Sequence, residues 1–195
     1  MTPVYLDYAA TSPADPRVAA AMGECLTRDG VFGNPSSMHQ HGRLARERVE
    51  QARAQAGALI NAPPQQLVWT SGATESNNLA ILGSARAAPK RGRHPGRHLV
   101  TARTEHKSVL DPCRRLEHEG FQVSYLDTDR EGLIAPQRVR EALRDDTVLV
   151  SIMHANNEIG VLQDIEAIAA IWSPRAPSTS RCSTHAVAWN TRVSR

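Results

Sequence analysis

Short apolar runs alternate with longer helical patterns through the central part of this 195-residue chain. Four runs, rich in apolar or β-branched residues, are predicted to be strands: residues 67–70, 98–101, 121–126 and 148–153. The segments that follow them have helical periodicity and are predicted to be helices: residues 75–86, 107–119, 136–144 and 165–171. Strands that alternate with helices favour a mostly parallel sheet covered on both faces. The predicted fold class is therefore α/β, a three-layer sandwich with a mostly parallel sheet.

The same pattern divides the chain into three parts. Residues 1–66 are expected to form an N-terminal segment with two helices, because Asp15 and Pro16 supply an N-cap and a first helical position and a second helical pattern covers 43–60. Residues 67–171 are expected to form a partial ligand-binding domain. In parallel sheets of this kind, ligands bind at the carboxyl ends of the strands.

Residues 172–195 break the alternation and are expected to be an aberrant tail. They are rich in Ser, Thr and Arg, contain no Asp or Glu, and show no helical or strand periodicity. An abrupt change of this kind at Trp172 is what a reading-frame shift in a GC-rich gene would produce, and a natural divergent tail is the alternative. We expect this part to be disordered or out of frame.

Charge and cysteine content limit the classes of function. The formal net charge is +3, but four arginines lie in residues 172–195, so the rest of the chain does not indicate nucleic-acid binding. Three cysteines without paired spacing fit a reduced compartment better than a disulfide scaffold. The sequence has neither a long apolar run nor a signal-peptide pattern, so a cytoplasmic protein without a membrane segment is expected.

A metal site is not predicted. His39, His41 and Cys113 are metal-ligating residue types, but a structural site normally needs four ligands with tight local spacing. The sequence offers no Cys-x-x-Cys pair to complete such a set.

The segment 70–78, Thr-Ser-Gly-Ala-Thr-Glu-Ser-Asn-Asn, follows a predicted strand and opens a predicted helix. Gly72 is expected to allow a sharp turn, and the hydroxyls of Ser71 and Thr74 can add donors to the unpaired first N–H groups of the helix. Together with the helix dipole, this arrangement predicts a phosphate-binding turn. An ordinary helix capped by Ser or Thr remains the alternative interpretation.

This segment is one of five motifs that follow one another along the chain: residues 5–11, 33–42, 70–78, 104–109 and 153–160. In residue identity and spacing these motifs resemble those of the cysteine desulfurases, which are fold-type-I pyridoxal-phosphate enzymes of the class V aminotransferase superfamily. The resemblance covers about residues 3 to 171 of the chain. It implies that residues 67–171 are an incomplete large cofactor-binding domain, and that the chain matches the N-terminal part of such an enzyme.

The resemblance also implies roles for individual residues. Ala73 and Thr74 match the positions that bind the phosphate of pyridoxal 5'-phosphate, and His106 matches the histidine that stacks on the pyridine ring and transfers protons. Asn157 matches the asparagine that binds the phenolic oxygen of the cofactor, in a turn supported by Asn156. Without the resemblance, an Asn-Asn-Glu sequence after a strand would be interpreted as a turn.

The implied reaction removes sulfur from L-cysteine and gives L-alanine and an enzyme persulfide for iron–sulfur cluster assembly. The implied partners are a scaffold or sulfur-acceptor protein and a second copy of the chain in a homodimer. The family also uses a Schiff-base lysine, an aspartate on the pyridine nitrogen and a persulfide cysteine in later segments. No Lys follows Lys107, no Asp follows Asp164, and Cys182 comes too early. We therefore expect this polypeptide to be inactive.

Two alternatives remain open at this point. One is a selenocysteine lyase or another class V relative, because the loop that distinguishes them lies outside these residues. The other is a non-catalytic protein that binds a phosphate-bearing ligand or a partner subunit.

Overall fold

The structure is a computed structural model that describes residues 3–8, 10–88 and 96–172. These residues form two compact units, one that ends at Trp69 and one that begins at Thr70. The tail predicted for residues 172–195 lies outside the described residues, except for the backbone of Trp172. Within the described ranges, no helix combines the length and the apolar character that crossing a membrane would require.

The first unit contains two helices and a short 3-10 turn: α1 at Pro16–Glu24, α2 at Gln40–Leu59 and the turn at Pro64–Gln66. Asp15 caps α1 as predicted, since its side chain accepts a hydrogen bond from the backbone N–H of Arg17 at 2.8 Å. His39 caps α2, since its Nδ1 accepts from the N–H of Gly42 at 3.2 Å. With this cap, α2 begins at Gln40, before the stretch 43–60 in which the sequence shows the helical pattern.

The strand predicted at residues 67–70 is wrong. The segment lies after the 3-10 turn without ladder hydrogen bonds, and no strand among the described residues pairs with it. Arg53 of α2 contacts it instead, since its guanidinium donates to the carbonyl of Leu67 at 2.6 Å and lies 5.5 Å from the centre of the Trp69 ring.

The second unit is built on a three-stranded parallel sheet with the order β2-β1-β3. Its strands are β1 at His98–Ala102, β2 at Gln122–Leu126 and β3 at Thr147–Ser151. Its helices are α3 at Ala73–Ala87, α4 at Lys107–His118, α5 at Pro136–Ala142 and α6 at Ile165–Trp172. Each of these elements was predicted, with bounds that differ by a few residues at most.

Helices cover both faces of this sheet, which confirms the three-layer α/β arrangement. Leu99 of β1 packs with Ile81 of α3 and Leu116 of α4 in one apolar cluster. Ala102, three residues further along the same strand, packs with Val139 of α5 in a second cluster. Alternate side chains of a strand point to opposite faces, so β1 contributes to both clusters. Because β1 and β3 are parallel, their carboxyl ends lie at the same edge of the sheet.

Candidate functional site

Helix α3 begins at the segment that the sequence predicts to bind phosphate. Gly72 occupies the N-cap position and has no side chain, so no side-chain hydrogen bond caps the first N–H groups of the helix. The expectation of a sharp turn at Gly72 is wrong, because its φ of 165° and ψ of −179° describe extended backbone that any residue adopts. Space around this glycine is open, since a Cβ built there would meet no atom within 4 Å. What Gly72 contributes is the absence of a capping side chain.

Ser71 does not supply the ligand donor that the sequence suggested. Its backbone N–H and its hydroxyl both donate to Oε2 of Glu75, at 2.7 and 2.6 Å. These bonds, with the side-chain hydroxyl contributing most, lower the pKa of the exposed Glu75 carboxyl. The Ser71 hydroxyl thus donates to a carboxylate of the helix that follows it, so of these two hydroxyl residues Thr74 is the one that remains for a ligand.

His106 lies at the N-terminus of α4, in the short connection from the carboxyl end of β1. Its Nδ1 accepts from the backbone N–H of Ser108 at 3.1 Å and lies 2.8 Å from the Ser108 hydroxyl. The ring therefore caps α4 through Nδ1, while the residue as a whole stays exposed. A capping histidine has a fixed orientation, and here the cap leaves its other nitrogen available to a ligand.

An open cavity brings two of the predicted site residues together. It has a volume of ≈ 380 Å³ and is lined by residues of α3 and α4 and by the cap of α4: Thr74, Asn78, His106, Lys107, Ser108, Asp111, Pro112 and Arg115. The lining carries two cationic side chains, Lys107 and Arg115, against one acidic side chain, Asp111, and the uncapped N-terminus of α3 adds positive potential. Ala73 is the first residue of α3, directly before Thr74. The cavity can therefore receive an anionic group beside an exposed imidazole.

Asn157 is placed differently from the other predicted site residues. It lies in the turn after β3, is exposed, and its Nδ2 donates to Oε1 of Glu158 at 3.3 Å. It is absent from the residues that line the cavity between α3 and α4. The structure therefore brings Thr74 and His106 to one cavity and leaves Asn157 on a neighbouring turn at the same edge of the sheet.

Asn156 organises that turn and connects it to the end of β1. Its Oδ1 accepts from the N–H groups of Glu158 and Ile159, at 2.9 and 3.0 Å, and its Nδ2 donates to the carbonyl of Thr104 at 3.4 Å. Gly160 closes the turn with a φ of +73°, a left-handed conformation that favours glycine. The turn that carries Asn157 is thus bonded to the segment that carries His106.

Glu105, Asn77 and Ser108 are site residues that the sequence did not single out. Glu105 is buried beside His106, and its Oε1 accepts from the backbone N–H of Met153 at 2.5 Å. Burial raises the pKa of the Glu105 carboxyl to about 7, against a smaller opposite effect of the Met153 hydrogen bond. A polar residue at a buried position of a helical pattern would have been the only signal for Asn77.

The aminotransferase class-V family matches residues 4–175 of the chain. The chain is 58% identical over 170 residues to "Cysteine desulfurase IscS" of Photobacterium profundum, a match that covers 87% of this chain and 41% of that protein. It therefore spans about two fifths of the length of the curated relatives it matches.

Solved structures with a similar fold include relatives of the same kind. The structure described as "SspA in complex with cysteine" has a TM-score of 0.80 and 40% identity, covering 87% of this chain and 47% of that one. The apo structure of cysteine desulfurase from Thermococcus onnurineus NA1 has a TM-score of 0.76 and 26% identity, covering 88% and 42%. The chain therefore belongs to the aminotransferase class-V family, and its relatives include cysteine desulfurases.

Proposed function

We propose that this chain is the cofactor-binding portion of a pyridoxal-phosphate-dependent cysteine desulfurase. In the proposed reaction of the whole enzyme, the C–S bond of L-cysteine breaks and an S–S bond to an enzyme cysteine forms, which leaves L-alanine and a persulfide. The observation that carries the proposal is that Thr74 and His106 line one cavity, in a chain 58% identical to a cysteine desulfurase over 170 residues.

The beginning of α3 fits the phosphate of the proposed cofactor. The first N–H groups of a helix have no partners within the helix, and the positive end of the helix dipole favours an anion there. Gly72 leaves these groups uncapped, and Thr74 and Lys107 line the adjacent cavity. We infer that Ala73 binds through its backbone and Thr74 through backbone and hydroxyl.

His106 fits the aromatic part of the cofactor and the transfer of protons. The imidazole ring is planar and exposed, and its Nδ1 accepts a hydrogen bond from Ser108. The ring surface and Nε2 therefore remain available to a ligand. When bound, the cofactor supplies the electron withdrawal that allows bonds at the substrate α-carbon to break. His106 would stack on the ring of the bound cofactor and would move a proton at Nε2.

Asn157 is the proposed partner of the phenolic oxygen. Support comes from its position after β3, at the sheet edge where β1 also ends, and from the bond between Asn156 and Thr104 that joins the two segments. Its amide donates to Glu158 here, so the proposed role requires the Asn157 side chain to turn away from that carboxylate.

The proposal extends to the whole protein. We infer a cytoplasmic homodimer that takes L-cysteine and delivers sulfur to a scaffold or acceptor protein of iron–sulfur cluster assembly. Support comes from the similarity to IscS proteins and from a relative of known structure described as a complex with cysteine.

The 195-residue polypeptide itself is proposed to be inactive. Lys90 and Lys107 are its only lysines, and neither matches the Schiff-base position of the family. Cys113 is fully buried, and burial together with the charges of Glu105 and Glu117 raises the pKa of its thiol to about 12. Its thiol therefore stays protonated near neutral pH and is a poor sulfur acceptor.

Titration of the purified chain with pyridoxal phosphate, followed by absorbance, tests the proposal. We expect weak, reversible binding that Thr74→Ala and His106→Ala reduce, with no alanine or sulfide produced from added L-cysteine. Ser84→Ala, on the same helix but outside the cavity, serves as the matched control. Borohydride-trapped cofactor on Lys107 together with turnover would contradict the proposed inactivity, and absence of binding would favour a non-catalytic protein.

A further inference from the structure

Two buried polar residues form a hydrogen-bonded chain behind His106. Nδ2 of Asn77, in α3, donates to Oγ of Ser108, in α4, at 2.8 Å. Oγ of Ser108 in turn lies 2.8 Å from Nδ1 of His106. Asn77 and Ser108 are only 4% and 7% exposed, whereas His106 is exposed to the cavity. Because Asn77 and Ser108 are shielded from solvent, water competes little for their hydrogen bonds.

The backbone N–H of Ser108 determines where the protons of this hydrogen-bonded group lie. A backbone N–H can only donate, so the contact from the Ser108 N–H requires Nδ1 of His106 to carry a lone pair. The Ser108 hydroxyl must then donate its proton to Nδ1, and its oxygen must accept from Asn77. A neutral imidazole has a single N–H, which is consequently at Nε2.

We propose that Asn77 and Ser108 are positioning residues that hold neutral His106 in its Nε2–H tautomer and fix the orientation of its ring. The importance of this tautomer rests on the proposed function, in which His106 moves a proton at the nitrogen that faces the ligand. Asn77 belongs to the helix whose first turn carries Thr74, so the same helix that binds the phosphate also orients the imidazole. Partners of this kind commonly set which histidine nitrogen carries the proton.

The competing interpretation is that these bonds only cap α4 and attach it to α3. A purely structural role changes the stability of the fold and leaves the tautomer of His106 unaltered. The tautomer is therefore the quantity that separates the two interpretations.

Nitrogen NMR of the ¹⁵N-labelled full chain without cofactor, at a pH where His106 is neutral, measures that tautomer directly. In the wild type we expect Nδ1 to be the unprotonated nitrogen. Ser108→Ala leaves the backbone donor but removes the hydroxyl, so the population of the Nδ1–H form should rise about fivefold, the equivalent of one net hydrogen bond. Asn77→Ala should shift the ratio in the same direction by less, and Ser108→Thr, which keeps a hydroxyl, should restore it.

Ser84→Ala is the matched control, because Ser84 lies on the same helix but is not among the residues that line the cavity, and this variant should leave the tautomer ratio unchanged. A wild-type His106 that is mainly Nδ1–H overturns the proposal, whichever variants fold. So does a Ser108→Ala protein with a lower melting temperature and an unchanged tautomer ratio. Pyridoxal phosphate added to the same samples tests the proposed function separately, because absence of binding refutes that function without altering the tautomer result.

Discussion

The carboxylate of Glu105 accepts a hydrogen bond from the backbone N–H of Met153 across 48 positions of sequence. Glu105 follows β1 and directly precedes His106, whereas Met153 follows β3 and precedes the turn that carries Asn157. The two segments are therefore joined at the edge of the sheet by a buried side chain as well as by the strands. This placement is energetically costly for an ionised carboxyl, because burial disfavours its charged form.

The first prediction is that Glu105→Gln stabilises the protein at high pH. The pKa of Glu105 is raised in the folded state to about 7 from a reference value of 4.5, so the folded protein binds this proton more tightly than the unfolded chain does. The associated stability is complete below pH 4.5 and is lost as pH rises through about 7. Glutamine cannot ionise and keeps an oxygen acceptor for Met153.

Urea unfolding of wild type and variant across this pH range checks the prediction. The variant should gain about 3 kcal/mol relative to wild type between acidic and mildly alkaline pH. Glu131→Gln, at an exposed position, is the control and should show no such change. A pH-independent difference for Glu105→Gln would mean that the carboxyl is not buried as described.

The second prediction compares two hydroxyls of the phosphate-binding turn. Thr74→Ala should weaken pyridoxal phosphate binding about tenfold, since a hydrogen bond to a charged group is lost. Ser71→Ala should weaken it less, because the Ser71 hydroxyl donates to Glu75 and not into the cavity. Dissociation constants of the two variants, measured by absorbance titration, provide the comparison. Equal losses would show that Ser71 leaves Glu75 to bind the ligand.

The third prediction concerns the apolar cluster between α3, α4 and the sheet. Leu116 is 0% exposed within it, so Leu116→Ala should lower the free energy of unfolding by about 2 to 5 kcal/mol through lost burial and a residual cavity. Leu79→Ala, at a position 54% exposed, removes the same atoms from a surface and should cost far less. Denaturant titration of both proteins measures the difference, and similar losses would contradict the described core.

Much of the fold could be predicted because each element has a strong local signal. The alternation of apolar runs with helical patterns located β1, β2, β3 and the helices between them, and Asp15 with Pro16 located the start of α1. The strand predicted at residues 67–70 failed for a non-local reason. Whether an apolar run becomes a strand depends on a partner strand, and among the described residues no strand pairs with this segment.

The site was predictable only in part. Thr74 and His106 follow from motifs, but the commitment of Ser71 to Glu75 depends on a rotamer that the sequence does not specify. The chain from Asn77 through Ser108 joins residues 31 positions apart, so it requires the packing of α3 against α4 to be known. Contacts between elements, rather than residue types, are what the sequence leaves open.

The last prediction is that the isolated chain self-associates. None of the described residues of α1 is buried, and Val18 and Met22 lie four positions apart on one side of it, exposed. An apolar face of this kind favours association with a second surface. Sedimentation velocity should therefore show dimers or larger species that Met22→Glu reduces, whereas Ala20→Glu, which adds the same charge at an exposed position on the other side of the same helix, should not. A wild-type chain that sediments as a monomer and unfolds cooperatively would contradict this expectation.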